Sequence, residues 1–195
     1  MRECIALTSK IAATLERLLL NPKYVEKRWE SLDAGSDCPA AQCREALLLA
    51  TRASEKLYAG PPDELEIEYT RLFTASYPRP KCPIYESYYL GGEHTLGKPD
   101  IIDDLYSIIR EAGLKLDTTR ERLPDNIPVI LELYSIISSS AHIDAQPILR
   151  KLAYNHLIET LPRLAKCIDE NTETEYYRLV SKALARYSEC LREIL

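Results

Sequence analysis

The chain has 195 residues, of which 46% are hydrophobic and 28% are charged, and this composition excludes extended disorder. Its net charge of -5 and pI near 5.4 argue against general nucleic-acid binding, which needs a basic surface to replace phosphate counterions. Charges interrupt the apolar run at the N-terminus, so we predict neither a signal peptide nor a membrane span. We therefore expect a cytoplasmic protein without direct membrane insertion.

Helical periodicity dominates the first part of the chain. Apolar residues recur at spacings of three and four, and they predict helices over residues 2–20, 23–31, 39–58 and 62–74. Asn21-Pro22 ends the first of these, and Gly60 followed by two prolines ends the third.

The next stretch, PKCPIYESYY at residues 80–89, has a different character. A linker would be polar and poor in aromatic residues, and a core segment would not hold several prolines. The stretch therefore predicts a shaped surface loop, the kind of segment in which functional residues often lie.

Helical periodicity returns after this loop and predicts helices over residues 99–113, 125–137 and 144–162, and from residue 172 onward. Asp125 is a predicted N-cap, Thr172 and Glu175 form a predicted capping box, and Pro162 should kink the helix that contains it. No segment alternates with period two. The predicted fold is all-α, an irregular bundle of about eight to ten helices. We expect one domain over residues 1–195, with a subdivision near residues 74–100 as the alternative.

The six cysteines do not form a motif. They stand at positions 4, 38, 43, 82, 167 and 190, without a CxxC pair and without a histidine close to the nearest two. We interpret them as free thiols in a reducing compartment, and the spacings disfavour a zinc site.

Catalytic motifs are missing from the sequence. It contains no GxSxG, HExxH, Walker or GxGxxG pattern, and its three histidines are far apart. Glu64, Glu66 and Glu68 spread around a helix at a spacing of two, so we interpret them as a solvated face. We expect no enzymatic activity, no cofactor and no metal.

Two segments join apolar or aromatic residues to carboxylates beside a proline turn. The first carries Tyr69, Leu72, Phe73, Pro83, Tyr85, Glu86, Ser87 and Tyr89, and the second carries Glu121, Pro124, Asp125 and Asn126. In pattern and order they resemble the TorD/DmsD/NarJ family, the cytoplasmic maturation chaperones of molybdenum redox enzymes. Asn126 stands where the family pattern has histidine. A third match is AYNHLIETLPRL, with His156 before Pro162 and with Thr160-Leu161 in place of the usual tryptophan.

The resemblance implies a TorD-like helical fold and a chaperone role. Family members bind the twin-arginine signal peptide of a redox enzyme and hold the apo-enzyme until its molybdopterin cofactor is inserted. Some members bind the enzyme away from the signal peptide, and some form domain-swapped dimers, so this chain is expected as a monomer or a swapped dimer. Weak guanine-nucleotide binding is implied for parts of the family.

The carboxylates and apolar residues of these motifs suit a peptide that carries paired arginines and an apolar stretch, because guanidinium groups bind carboxylates bidentately. We expect Glu86, Asp125 and Glu121 to meet the arginines. The apolar part would lie in a groove lined by Tyr69, Leu72, Phe73 and Tyr85. Pro83 would shape the loop, while Ser87 and Asn126 would hydrogen-bond the peptide backbone.

Other interpretations stay open. Taken singly, the apolar residues are more often core, and Asp125 is more often a helix cap. A non-catalytic helical subunit that docks to one fixed redox-enzyme partner is the main alternative. A weak GTP-binding enzyme comes next, but a phosphate-cradling glycine loop is missing from the sequence.

Overall fold

A computed structural model describes residues 2–25, 38–59, 62–91, 98–116, 123–140 and 145–195. The α-helices in these ranges are α1 (Arg2–Leu18), α2 (Ala41–Ala59), α3 (Pro62–Tyr69), α4 (Glu86–Leu90), α5 (Pro99–Glu111), α6 (Ile127–Ser139), α7 (Ala145–Leu152), α8 (Thr160–Asn171) and α9 (Glu175–Ile194). The described ranges contain one isolated β-bridge and no strand, which confirms the all-α prediction.

The core lies where the long helices meet. Helix α1 packs against α2, α6 and α9, and α9 also packs against α2 and α8. The sequence explains this arrangement, because Leu7, Ile11, Leu15 and Leu18 recur on one face of α1 and are at most 2% exposed. Burying such a side chain contributes about 1.5–3 kcal/mol.

Buried tyrosines connect α1 to its neighbours. The Tyr187 hydroxyl donates to the Thr8 carbonyl at 3.1 Å, and the Tyr176 hydroxyl donates to the Leu18 carbonyl at 2.8 Å. The hydroxyls of Tyr134 and Thr8 lie 3.2 Å apart. Burial raises the pKa of Tyr134 to about 12, although the bond with Thr8 opposes the rise, so this hydroxyl keeps its proton at neutral pH. These bonds fix the position of α1 against α6 and α9.

The prediction of free thiols is wrong, because all six cysteines are paired in disulfides: Cys4–Cys38, Cys43–Cys190 and Cys82–Cys167. The partners are 34, 147 and 85 residues apart in sequence, and spacing patterns do not reveal such pairs. Folding brings their Cα atoms to 4.8, 4.7 and 5.7 Å. The argument from thiols to a reducing compartment therefore no longer holds.

Two predicted caps were also wrong. Asn126, not Asp125, holds the N-cap position of α6, and its side chain makes no capping hydrogen bond. At α9 the N-cap is Thr174, whose side chain accepts from the Tyr177 N–H at 3.3 Å. The Thr172 hydroxyl instead donates to the Glu68 carboxylate at 2.9 Å. Tertiary partners thus outcompete the local bonds that the sequence pattern predicts.

The predicted helix over residues 144–162 is interrupted before its proline. Helix α7 continues into a π-helical turn at Ala153–Leu157, and α8 begins afterwards at Thr160. Pro162 therefore lies in the first turn of a new helix, where its missing N–H costs little. The predicted start at Asp144 lies outside the described residues.

The predicted helix over residues 23–31 is described only at its beginning. Here Pro22–Tyr24 form a 3-10 turn, and residues 26–31 lie outside the described ranges. Among the described helices, none combines the length and the apolar character needed to cross a bilayer.

Candidate functional site

The segments around Tyr85 and Asn126 meet in space. These two residues form an isolated antiparallel bridge. The Glu86 N–H donates to the Asp125 carbonyl at 2.8 Å, and the Ile127 N–H donates to the Ile84 carbonyl at 2.9 Å. Two motifs that are distant in sequence therefore form one unit. We call residues 84–87 and 125–127, together with His156, the motif junction.

A side-chain hydrogen bond strengthens this junction. The Ser87 hydroxyl donates to Asp125 Oδ2 at 2.6 Å and accepts from the Lys98 N–H at 2.9 Å. Both Ser87 and Asp125 are fully buried. A single hydrogen bond contributes about 1.5–3 kcal/mol to stability when one of its partners is charged. The hydroxyl that we expected to contact a peptide backbone is thus engaged within the protein.

His156 brings the third motif to the same place. Its Nδ1 lies 2.9 Å and 3.0 Å from the two oxygens of Glu86, while its Nε2 lies 3.1 Å from Asp104 Oδ2. The side chains of Glu86 and His156 are 0% and 3% exposed. A neutral imidazole has one N–H, so it can donate to only one of two carboxylates. A proton must therefore lie between Glu86 and His156, on the carboxyl group or on the ring.

The outer end of this chain of polar groups reaches the surface. Asp104 accepts from Lys151 Nζ at 3.0 Å and from Asn155 Nδ2 at 2.9 Å, and its side chain is 31% exposed. Partial burial would raise the pKa of Asp104, but the bonds from Asn155 and Lys151 outweigh this effect and lower it. Burial raises the pKa of Glu86 above its ordinary value, and the bond with His156 offsets part of that rise.

Two acceptor atoms of the junction have no hydrogen-bond partner among the described residues. Asp125 Oδ1 and Asn126 Oδ1 are both buried atoms. An unpaired buried acceptor costs about 1–3 kcal/mol, so a donor group at this place would be favourable. Any hydrogen-bond donor that reached these two atoms would remove that cost.

The apolar residues predicted to line a groove lie in the core. Tyr69, Leu72 and Phe73 are 8%, 0% and 3% exposed. The Phe73 ring is 5.4 Å from the ring of Tyr177 in α9 and 5.3 Å from that of Tyr69. As placed, these three side chains cannot line an open groove, because α9 and their own neighbours cover them.

The other predicted site residues divide in the same way. Pro83 is buried and Tyr85 is half-buried at the junction, whereas Glu121 lies outside the described residues. Glu86 and Asp125 are both 0% exposed. An arginine from a peptide can therefore reach them only if the protein changes its conformation.

Sequence reasoning missed a further buried carboxylate, in addition to Glu86 and Asp125. Glu68 is 5% exposed, so its assignment to a solvated face was wrong. Its two oxygens accept from Arg71 Nε at 2.7 Å and Nη2 at 2.9 Å, and the Glu173 N–H also donates to it at 2.8 Å. Burial would raise the pKa of Glu68, but the bonds from Arg71, Glu173 and Thr172 lower it overall.

Asp104 and Lys151 were also missed, and His156 was noted only through the resemblance. A signal for His156 exists in the sequence, since it follows Leu149 and Leu152 at helical spacing and so falls on a buried face. A polar residue on such a face predicts a buried partner, but not which carboxylate provides it.

Comparison with protein families gives a match to the nitrate reductase delta subunit model over residues 30–161, more than half of the chain. The chain belongs to the nitrate reductase delta subunit family. This membership confirms the resemblance to the TorD/DmsD/NarJ group. The chain is accordingly a redox-enzyme maturation chaperone in the broad sense of this family.

Comparison with curated proteins gave no significant match. Among solved structures, the chain is similar to a candidate redox enzyme maturation protein from Archaeoglobus fulgidus, with 22% identity and a TM-score of 0.56. The alignment covers 97% of this chain and 94% of that chain. At 22% identity this likeness shows only that the two chains share a fold, and they share it over nearly their whole lengths.

Proposed function

We propose that this chain is a cytoplasmic chaperone for a molybdopterin-dependent oxidoreductase. It binds the twin-arginine signal peptide of that enzyme, its apo form, or both. In this role it assists cofactor insertion and prevents premature export. The family supports the general role, and the finer assignment rests on the motif junction.

The observation that carries the proposal is the convergence of three motifs on one junction. Glu86 and Asp125 supply carboxylates, and His156 lies against the first of them. Asp125 Oδ1 and Asn126 Oδ1 are acceptors without a partner among the described residues. An arginine offers five N–H donors in a rigid fork, so this set of acceptors suits it.

Binding at the junction requires a change of shape, because Glu86 and Asp125 are fully buried. Only open molecules bind the peptide. The observed affinity is therefore the intrinsic affinity of the open form multiplied by the fraction of molecules that are open. The buried Tyr69, Leu72 and Phe73 fit the same scheme, in which opening would uncover an apolar surface for the stretch that follows the arginines.

Calorimetric titration of the full chain with a synthetic twin-arginine signal peptide tests the proposal. We expect saturable binding, and binding weaker by about tenfold or more when glutamine replaces both arginines. Asp125→Asn should weaken binding in the same way. Glu132→Gln, which changes an exposed carboxylate on α6, is the matched control and should leave binding unchanged. Absence of saturation with several such peptides would overturn the signal-peptide part.

A fixed docking subunit remains the second candidate, and two exposed side chains favour it. Tyr77 is 96% exposed and lies in residues 75–82, which we call the proline-rich loop, and Ile67 on α3 is 69% exposed. Such residues are common contacts in protein interfaces. Purification with one constant partner, and no affinity for free signal peptides, would support this candidate.

Three expectations stay predictions: the absence of enzymatic activity, weak guanine-nucleotide binding and the choice between a monomer and a swapped dimer. The family is generally non-catalytic. Titration with GTP and a measurement of molecular mass in solution test the other two.

A further inference from the structure

One disulfide differs from the other two in its access to solvent. Cys167 is half-buried, whereas Cys4, Cys38, Cys43, Cys82 and Cys190 are at most 6% exposed. Thiol–disulfide exchange requires a thiolate to reach a sulfur atom, so access controls its rate. Cys167 is the most exposed of the six cysteine residues, so we take its disulfide as the one that a thiol in solution reaches first.

The same disulfide fixes one end of the proline-rich loop. Cys82 ends the exposed run of the loop and is bonded to Cys167 near the C-terminal end of α8. The Cys82 N–H also donates to the Leu72 carbonyl at 2.7 Å. Between these anchors, the side chains of Tyr77, Pro78 and Arg79 are exposed, so little buried surface holds this part of the chain.

The other two disulfides hold the bundle itself. Cys43–Cys190 joins α2 to α9, and both of its cysteines are 0% exposed. Cys4–Cys38 joins α1 to the segment before α2, with 6% and 1% exposure. The molecule thus has two covalent bonds inside its core and one that connects a surface loop to a helix.

We propose that Cys82–Cys167 is a redox-modification site that reacts with dithiols, and that its reduction releases the proline-rich loop while the bundle stays locked. This proposal stands independently of signal-peptide binding. In this proposal, a covalent bond controls the mobility of the loop that leads into the motif junction.

The reaction balances as a thiol–disulfide exchange. A thiolate of the dithiol attacks Cys167 Sγ, the bond between the two protein sulfurs breaks, and Cys82 leaves as a thiolate that takes up a proton. The second thiol of the reagent then attacks the mixed disulfide and frees Cys167. The protein gains two electrons and two protons, and the dithiol becomes a cyclic disulfide.

Graded treatment of the native full chain with dithiothreitol tests the accessibility. Newly freed thiols are alkylated, the protein is unfolded and fully reduced, and the remaining cysteines receive a second label for mass spectrometry. We expect Cys82 and Cys167 to be freed about tenfold faster than the other four cysteines, in line with their access. Equal rates for all three pairs, or Cys43–Cys190 first, would overturn the proposal.

Limited trypsin digestion tests the release of the loop. The Lys81–Cys82 bond is the probe, because Lys81 is exposed while Cys82 is buried and anchored. Selective reduction should raise cleavage there by about tenfold or more, since the local opening becomes easier. Cleavage after Lys115, a similarly exposed lysine far from any cysteine in sequence, should not change.

Matched variants separate this bond from the others. Cys82→Ser combined with Cys167→Ser should show rapid cleavage at Lys81 without any reductant. Cys43→Ser combined with Cys190→Ser should keep that cleavage slow. If a variant does not fold, the selectively reduced wild-type chain still decides the matter. Unchanged cleavage at Lys81 after proven reduction would contradict the proposed role of the bond.

Discussion

Glu68 and Glu86 are both buried carboxylates, but their pKa values are shifted in opposite directions because burial and hydrogen bonding balance differently at the two sites. Burial raises the pKa of Glu86, and His156 only partly offsets this rise. At Glu68 the raising effect of burial is smaller than the combined lowering effect of Arg71, the Glu173 N–H and Thr172. The two residues should therefore make opposite contributions to the pH dependence of stability.

The signs follow from linkage. The folded pKa of Glu68 is lowered, so its contribution is present above the unfolded pKa and is lost as pH falls through the folded pKa. The folded pKa of Glu86 is raised, so its contribution is present below the unfolded pKa and is lost as pH rises through the folded pKa. Urea unfolding between about pH 3 and pH 8 brackets the ordinary glutamate pKa.

We expect the stability difference between wild type and Glu68→Gln to shrink towards acid. The difference between wild type and Glu86→Gln should shrink towards neutral pH. Glu132→Gln, at an exposed position, is the control for the exchange of a glutamate for a glutamine. Parallel slopes for the two buried residues would contradict the assigned shifts.

Removal of His156 should be the most damaging single change at the junction. His156→Ala leaves Glu86 without its partner and opens a cavity, and we expect a loss of about 3–5 kcal/mol. His156→Gln keeps a donor and an acceptor and should cost clearly less. Urea unfolding measures both. Equal losses in the two variants would mean that the imidazole ring itself is required, because glutamine restores both volume and hydrogen-bonding groups without replacing it.

At the scale of elements, the start of α9 provides a local test. Thr174 accepts from the Tyr177 N–H and is not replaced in this role by Thr172. Thr174→Ala should lower the free energy of unfolding by about 1 kcal/mol, while Thr174→Ser should have little effect because it keeps the oxygen. A thermal or urea unfolding series on the three proteins checks this. An unchanged free energy of unfolding in Thr174→Ala would mean that tertiary contacts alone define this helix start.

The helices themselves follow largely from local information. The apolar spacing in α1 and the stop at Asn21-Pro22 depend on neighbours in sequence, so prediction places them within a few residues of the observed bounds. The short α4 was missed because Glu86–Leu90 lie in a stretch of prolines and tyrosines and are held by the pairing with Asp125. Bonds between distant segments leave no periodic pattern.

The candidate site was also predictable only in part, because its motifs are local in sequence and their contacts are not. The motifs containing Tyr85, Asp125 and His156 could be recognised one by one from their order in the chain. Their contact, the burial of Glu86 and the role of Asp104 depend on packing between α4, α5 and the π-helical turn after α7. No spacing rule gives the depth of a side chain in a bundle.

At the scale of the whole molecule, three disulfides restrict the unfolded chain. Cys43–Cys190 spans 147 residues and connects α2 to α9, which pack on each other in the core. We expect Cys43→Ala combined with Cys190→Ala to lower stability by about 2–5 kcal/mol, as for the removal of a native disulfide. Denaturant unfolding measures the loss. No loss would mean that residual structure in the unfolded state or strain in the native state cancels the restriction.

If the motif junction binds a peptide, as proposed, its burial requires the protein to exchange between closed and open forms. The junction connects α4, α6 and the turn before α8, and the proline-rich loop leads into it. A peptide that binds only the open form shifts the population by its differential affinity. Under the proposed function, the same motif residues would be structural in the free protein and would contact the peptide in the open form.

The most direct test of this account is hydrogen–deuterium exchange of the full chain with and without a saturating twin-arginine signal peptide. We predict that the peptide changes exchange at residues 84–91 and 123–130, with little change in α1 and α2. The glutamine-substituted peptide should leave the pattern as in the free protein. Changes confined to other surfaces, or no change at all under proven saturation, would contradict the assignment of the motif junction as the recognition site.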